Sequence, residues 1–139
     1  MKGKISWVEG GRFLAESGSG HTLPMHAKVR GDDTSVAPSP MEYVLLGTGG
    51  CSCVDVVHIL SKGRHDVRDC AVLLDAERAM EDPKVFLSIH MHFVVTGKNL
   101  KPEAVARAVE LSAEKYCSAS IMLAKTATIT HDFEIKDVE

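Results

Sequence analysis

A chain of 139 residues with 45% hydrophobic and 25% charged side chains has ordinary globular composition at the size of one domain, which excludes a disordered or fibrous protein. Sixteen Lys+Arg against nineteen Asp+Glu leave a formal charge of -3, so no basic field draws the chain onto nucleic acid or an anionic membrane. Four cysteines, Cys51, Cys53, Cys70 and Cys117, are too few for a disulfide-stapled secreted scaffold.

The N-terminus carries positive charge without an apolar run behind it, so no signal peptide is expected. Residues 2–8, 12–16 and 21–25 read as three short strands, broken by turns at Gly10-Gly11 and at Ser17-Gly18-Ser19-Gly20. Residues 26–38 form a long polar loop of the kind that often carries function. Ser39, Pro40 and Glu42 then spell a helix start, with Ser39 as N-cap and Glu42 at the reciprocal position of a capping box. This helix, residues 39–62, should stop at Gly63. Thr48, Ser52, Asp55 and His58 interrupt its apolar stretch, so no membrane span is expected. A cytoplasmic location follows, with thiols reduced unless they are catalytic, redox-sensing or metal-bound.

Residues 67–78 and 85–96 read as two long strands joined by a turn through Asp82-Pro83. Alternation in the second puts Val85, Leu87, Ile89, Met91, Phe93 and Val95 on one face and Phe86, Ser88, His90 and His92 on the other. Pro102 opens a second helix running to about Tyr116, and Ser118 or Ser120 caps a short third helix ending near Lys125. A last strand, residues 126–136, puts Ala127, Ile129, His131, Phe133 and Ile135 on one face. The order βββ-α-ββ-α-α-β predicts a single α+β domain over residues 1–139, with a mostly antiparallel sheet and a long central helix.

The cysteines sort by their surroundings. On the central helix Cys53 falls in an apolar stripe with Leu46, Gly49, Gly50, Val56, Val57 and Leu60 and reads as a packed thiol. Cys51 shares a more polar stripe with Thr48, Asp55 and His58. Cys70 begins an apolar strand segment and reads as structural. Cys117 lies at a junction between helices beside Lys115, where a thiolate is favoured over a thiol. Spacing alone leaves Cys51 and Cys117 open between reactive and packed. His90 and His92, two apart on a strand, read as a solvated or subunit-facing surface, and His131 as a hydrogen-bonded core residue. The cysteines lack Cys-x-x-Cys spacing, so no metal centre is expected.

Two segments together resemble a known family. Ala37-Pro38-Ser39-Pro40-Met41-Glu42, followed by Leu45-Leu46-Gly47-Thr48-Gly49-Gly50-Cys51, resembles the first-cysteine helix of the OsmC/Ohr family. Ala113-Glu114-Lys115-Tyr116-Cys117-Ser118 is similar to that family's second-cysteine motif, and the length matches its branch of small OsmC-like proteins. The resemblance implies an intertwined homodimer with active sites at the subunit interface and thiol-dependent reduction of organic hydroperoxides or hydrogen peroxide. By it, Cys51 is the peroxidatic cysteine and Cys117 the resolving one. An external dithiol of lipoyl or thioredoxin type restores both, and no metal or organic cofactor is needed. The family's supporting Arg–Glu pair maps onto Arg30, in the long loop, and Glu42. The rival readings are a non-catalytic redox sensor or small-ligand binder, and a metal protein in which Cys51 or Cys117 joins His58 or the His90/His92 face.

Overall fold

Short alternating segments at the N-terminus give a sheet of three strands. The computed structural model describes residues 1–29, 31 and 34–139, and the chain separates into two compact units, Met1–Val44 and Leu45–Glu139. In the first unit β1 (Gly3–Glu9), β2 (Arg12–Ser17) and β3 (Thr22–His26) pair antiparallel in chain order. The Trp7 indole N–H donates to the Gly10 carbonyl at 2.8 Å, closing the first turn. Tyr43 Oη donates to the Pro24 carbonyl at 2.6 Å, anchoring the start of α1 (Pro40–Lys62) to β3. The expected capping box is present: the Glu42 N–H donates to Ser39 Oγ at 3.2 Å, and the Ser39 N–H donates to Glu42 Oε1 at 3.0 Å. These bonds from the Ser39 backbone and hydroxyl hold the Glu42 carboxyl below its ordinary range.

The second unit contains the rest of α1, then β4 (Asp66–Arg78), β5 (Phe86–Lys98), α2 (Pro102–Leu111), α3 (Ser118–Leu123) and β6 (Thr128–Asp137). A π-helical turn, Ser112–Tyr116, joins α2 to α3. Its strands form a second sheet in the order β4-β5-β6. β4 and β5 are an antiparallel pair, whereas β5 and β6 run parallel, because the helices between them carry the chain back to the sheet's starting end. Ile89, Met91, Phe93 and Val95 are fully buried on one face. Val105 and Ala108 of α2, three apart on one side of the helix, are fully buried too, and α2 packs on β6.

The alternation expected for β5 fails at its start. Glu77 pairs with Ser88 but Arg78 with Phe86, so Leu87 is an extra residue in a bulge. The bulge turns Phe86 inward, at 5% exposure, and Leu87 outward, at 50%. On the outer face His90 and His92 gather round one carboxylate: His90 Nε2 and His92 Nδ1 lie 2.9 and 2.7 Å from Asp132 Oδ1. His90 Nδ1 is 2.6 Å from Thr130 Oγ1. The hydrogen bond from His92 lowers the Asp132 carboxyl, with that from His90 adding to it.

Helix α1 is long and apolar enough to cross a bilayer by length and composition alone. Its polar residues argue for a core role instead, since Thr48 and Ser52 are buried and Asp55 is hydrogen-bonded to Ser112. It lies against β4, where a Cβ on Gly49 would meet Leu74 Cδ1 at 2.6 Å and force that side chain to move. In β5, a Cβ on Gly97 would run into the Asp66 carbonyl, which belongs to the backbone and cannot swing aside. Gly97→Ala should therefore destabilise the chain by about 1–3 kcal/mol, read as a lowered urea midpoint with an unchanged denaturant slope.

Candidate active site

The site is assembled around one buried sulfur. Helix α2 would run on through residue 116 by its pattern, but the π-helical turn inserts an extra residue per turn, with the Cys117 N–H donating to the Ser112 carbonyl at 2.8 Å. Cys117 then leaves helical geometry, with φ -75° and ψ 97°, and becomes the N-cap of α3. Its sulfur accepts from the Ser120 N–H at 3.4 Å, the position where Ser, Thr or Asp oxygens usually sit. Neither Ser118 nor Ser120 is the cap. Ser120 instead supplies the capped N–H from the third helical position, because the π insertion moves the helix start back onto Cys117.

Helix α1 reaches the same sulfur from the other side. Ser52 Oγ donates to Cys117 Sγ at 3.1 Å and lies 3.2 Å from Ser120 Oγ. Cys117 is fully buried, and Ser52 and Ser120 are 1% and 2% exposed. Cys51, one residue before Ser52, is half-buried, and one ligating atom from each of Cys51, Asp55 and Cys117 lies within 4.8 Å of the others. Asp55 Oδ2 accepts from Ser112 Oγ at 3.1 Å, so the π-helical turn positions the carboxylate as well as the sulfur.

The two thiols are held unequally. For Cys117 burial pushes the thiol up, yet hydrogen bonds from the Ser120 and Ser52 hydroxyls, the Ser120 N–H and Cys51 outweigh it, and the thiol is lowered. For Cys51 the Ala119 N–H favours the thiolate, but loss of solvent, the Cys117 sulfur and the Asp55 carboxylate outweigh it and raise the thiol. The surroundings therefore favour the thiolate at Cys117 over that at Cys51, with the Cys51 thiol hydrogen-bonded to the Cys117 sulfur.

The other sequence candidates lie elsewhere. Glu42 is engaged by Ser39 in the capping box, and Arg30 lies outside the described residues. His58 is exposed and, with Asp55, Ile59, Lys62 and Tyr116, lines a cavity of about 450 Å³. His131 stacks on Phe93 with ring centroids 6.4 Å apart, and burial, reinforced by His90, lowers it. Its Nε2 finds no hydrogen-bond partner among the described residues, contrary to the expected satisfied core histidine. Cys53 and Cys70, read separately as a packed and a structural thiol, are neighbours: the Cys53 thiol donates to the Cys70 carbonyl at 3.4 Å. The register of α1 against β4 causes this, and sequence spacing does not display it.

Sequence reasoning passed over Asp55, Ser112, Ser52 and Ser120. Asp55 had a signal, one helical turn beyond Cys51 on the same stripe. Ser120 was read only as a possible helix cap, Ser52 only as a polar interruption of α1, and Ser112 had no signal, because a π-helical turn leaves no periodicity to read. Burial, with the neighbouring Cys53 and Asp69, pushes the Cys70 thiol up to about 12, so iodoacetamide at pH 8 should leave Cys70 unmodified in the native protein. Urea should expose it to full labelling, as mapped by peptide mass spectrometry.

A family model described as OsmC-like protein matches residues 31–132. The chain is 55% identical over 135 residues to Protein YhfA of Escherichia coli K12, covering 97% of this chain and 98% of that protein. A solved structure of a hypothetical protein from Aquifex aeolicus VF5 is 29% identical with a TM-score of 0.86, covering 99% of this chain and 97% of that one. The organic hydroperoxide resistance protein OhrB of Bacillus subtilis shares the fold at 15% identity, with a TM-score of 0.64 and coverage of 96% and 98%.

Proposed function

The chain belongs to the OsmC-like protein family, and from that premise we propose that it is a cytoplasmic thiol-dependent peroxidase acting on organic hydroperoxides or hydrogen peroxide. One observation carries the reading: the half-buried Cys51 sits beside the fully buried Cys117, whose sulfur three hydrogen-bonding groups hold in place. Solvent access assigns the first step to Cys51, since a peroxide cannot reach a sulfur with no exposed surface.

Charge moves as follows. The Cys117 thiolate takes the Cys51 proton across their hydrogen bond. The Cys51 thiolate attacks the terminal oxygen of the peroxide; the O–O bond breaks, and Cys51 becomes a sulfenic acid. The departing alkoxide takes the proton from Cys117 and leaves as the alcohol. Cys117, again a thiolate, attacks the sulfur of the Cys51 sulfenic acid, forming the disulfide and expelling hydroxide. An external dithiol of lipoyl or thioredoxin type then returns two electrons. Sulfur carries both electrons, so no metal or organic cofactor enters. A cavity lined by Asp55, His58, Ile59, Leu111 and Tyr116 shares Asp55 with the site and is a candidate place for the organic part of a hydroperoxide.

In stopped-flow mixing with cumene hydroperoxide or hydrogen peroxide, Cys51→Ser should abolish consumption, a loss of more than about a thousandfold on the scale of a removed nucleophile. Cys117→Ser should stall after one turnover as a sulfenate that dimedone traps. Unchanged consumption by Cys51→Ser would overturn the mechanism.

The active unit is proposed to be a homodimer. Leu46, Val54 and Val57 of α1 are 54%, 68% and 37% exposed, a run of apolar side chains that a soluble chain covers. Light scattering should give about twice the 15.1 kDa of one chain, and Leu46→Glu with Val54→Glu should shift the mass to one chain.

A further inference from the structure

We propose that the reduced pair is also a metal site: Cys51, Asp55 and Cys117 bind a thiophilic divalent cation of the zinc class, which shuts off the thiol chemistry while bound. The inference stands apart from the peroxide reading, because it needs only reduced sulfurs and a carboxylate at their observed positions. Two thiolates and one carboxylate form a donor set suited to zinc and its congeners and poorly suited to calcium or magnesium.

Geometry supports the donor set. Tetrahedral zinc, with bonds of about 2.3 Å to sulfur and about 2.0 Å to oxygen, spaces its ligating atoms about 3.5–3.8 Å apart. One atom from each of the three residues already lies within 4.8 Å of the others, so contraction of about 1 Å completes the site. Cys51 and Asp55 lie one turn apart on α1, a rigid helix, and both are half-buried, which leaves an approach for the ion and a fourth position for water.

The groups behind the ligands are in place too. Ser112 Oγ donates to the Asp55 carboxylate at 3.1 Å, and Ser52 Oγ donates to the Cys117 sulfur at 3.1 Å. Such outer hydrogen bonds orient metal ligands, and their loss typically costs about 10–100-fold in affinity. The sequence offered His58 and the His90/His92 face as partners for the cysteines. The structure leaves His58 exposed and commits His90 and His92 to Asp132, so Asp55 is the third ligand. Binding displaces the thiol protons and fixes both sulfurs as thiolates on the ion, so that neither Cys51 can attack an O–O bond nor Cys117 a sulfenate.

Titrating the reduced full-length protein with Co(II) tests this. A thiolate-to-cobalt charge-transfer band should saturate at one equivalent per chain, and Zn(II) should displace it. Asp55→Asn should weaken binding at least about tenfold, and Ser112→Ala should weaken it by about tenfold. Cys51→Ser and Cys117→Ser should each diminish the band, while the double variant His90→Ala with His92→Ala should titrate like the wild type. A readout independent of any variant is protection: Zn(II) should shield Cys51 of the wild type from iodoacetamide without changing the labelling of Cys53. Absence of the band, absence of shielding, unaltered binding by Asp55→Asn, or loss of binding in the histidine variant would each overturn the site. A chain that binds Co(II) in this way yet consumes no peroxide retains this inference and loses the peroxidase.

Discussion

A sulfur buried without solvent must find its hydrogen bonds inside the protein, and the placement of Cys117 satisfies that constraint from three directions at once. Ser52 reaches it from α1, while the Ser120 N–H and hydroxyl reach it from α3. The Ser52 and Ser120 hydroxyls are themselves sealed from water. Each such bond contributes only about 1 kcal/mol net, but stranding one of these buried groups costs about 1–3 kcal/mol. That asymmetry makes the arrangement specific: α1, the π-helical turn and α3 have one mutual position in which nothing polar is left unpaired around this sulfur. Cys51 and Asp55 ride on α1, so the same constraint fixes where they stand.

The unequal surroundings of the two thiols divide reactivity from access. Donors around Cys117 favour charge on a sulfur that solvent cannot touch, while Asp55 and the neighbouring sulfur disfavour it on the one that solvent can. Neither residue alone combines charge with access. The pair does, because a single proton shift along their hydrogen bond exchanges the two states. Cys53 and Cys70 show the contrast. They also lie side by side, but burial, with Cys53 and the Asp69 carboxylate beside it, lifts the Cys70 thiol out of the reactive range.

Much of this was legible in the sequence wherever a local rule governs. The Ser39–Glu42 capping box and the inward Ile89–Val95 alternation follow from spacing and residue type, whereas spacing left Cys51 and Cys117 open and only the family resemblance singled them out. Three features were not legible, each for a physical reason. The Leu87 bulge reverses the inward face through a pairing choice made by the opposite strand. The π-helical turn rests on one rearranged hydrogen bond without a compositional signature, and it transfers the cap of α3 from a serine to a cysteine. The Cys53–Cys70 contact depends on how α1 slides over β4, a matter of packing that Gly49 permits without dictating.

The sulfur that caps α3 is also the one a disulfide to Cys51 would consume. A disulfide sulfur carries no charge and accepts a hydrogen bond weakly, so oxidation would take from a six-residue helix the acceptor that holds its first turn. Linkage makes that relation run both ways. Whatever steadies the start of α3 against fraying would make the thiols harder to oxidise, and whatever frays it would make the disulfide easier to keep. The reduction potential of such a disulfide would then be written partly in the backbone of α3, and a surface change along that helix would become a means of tuning it.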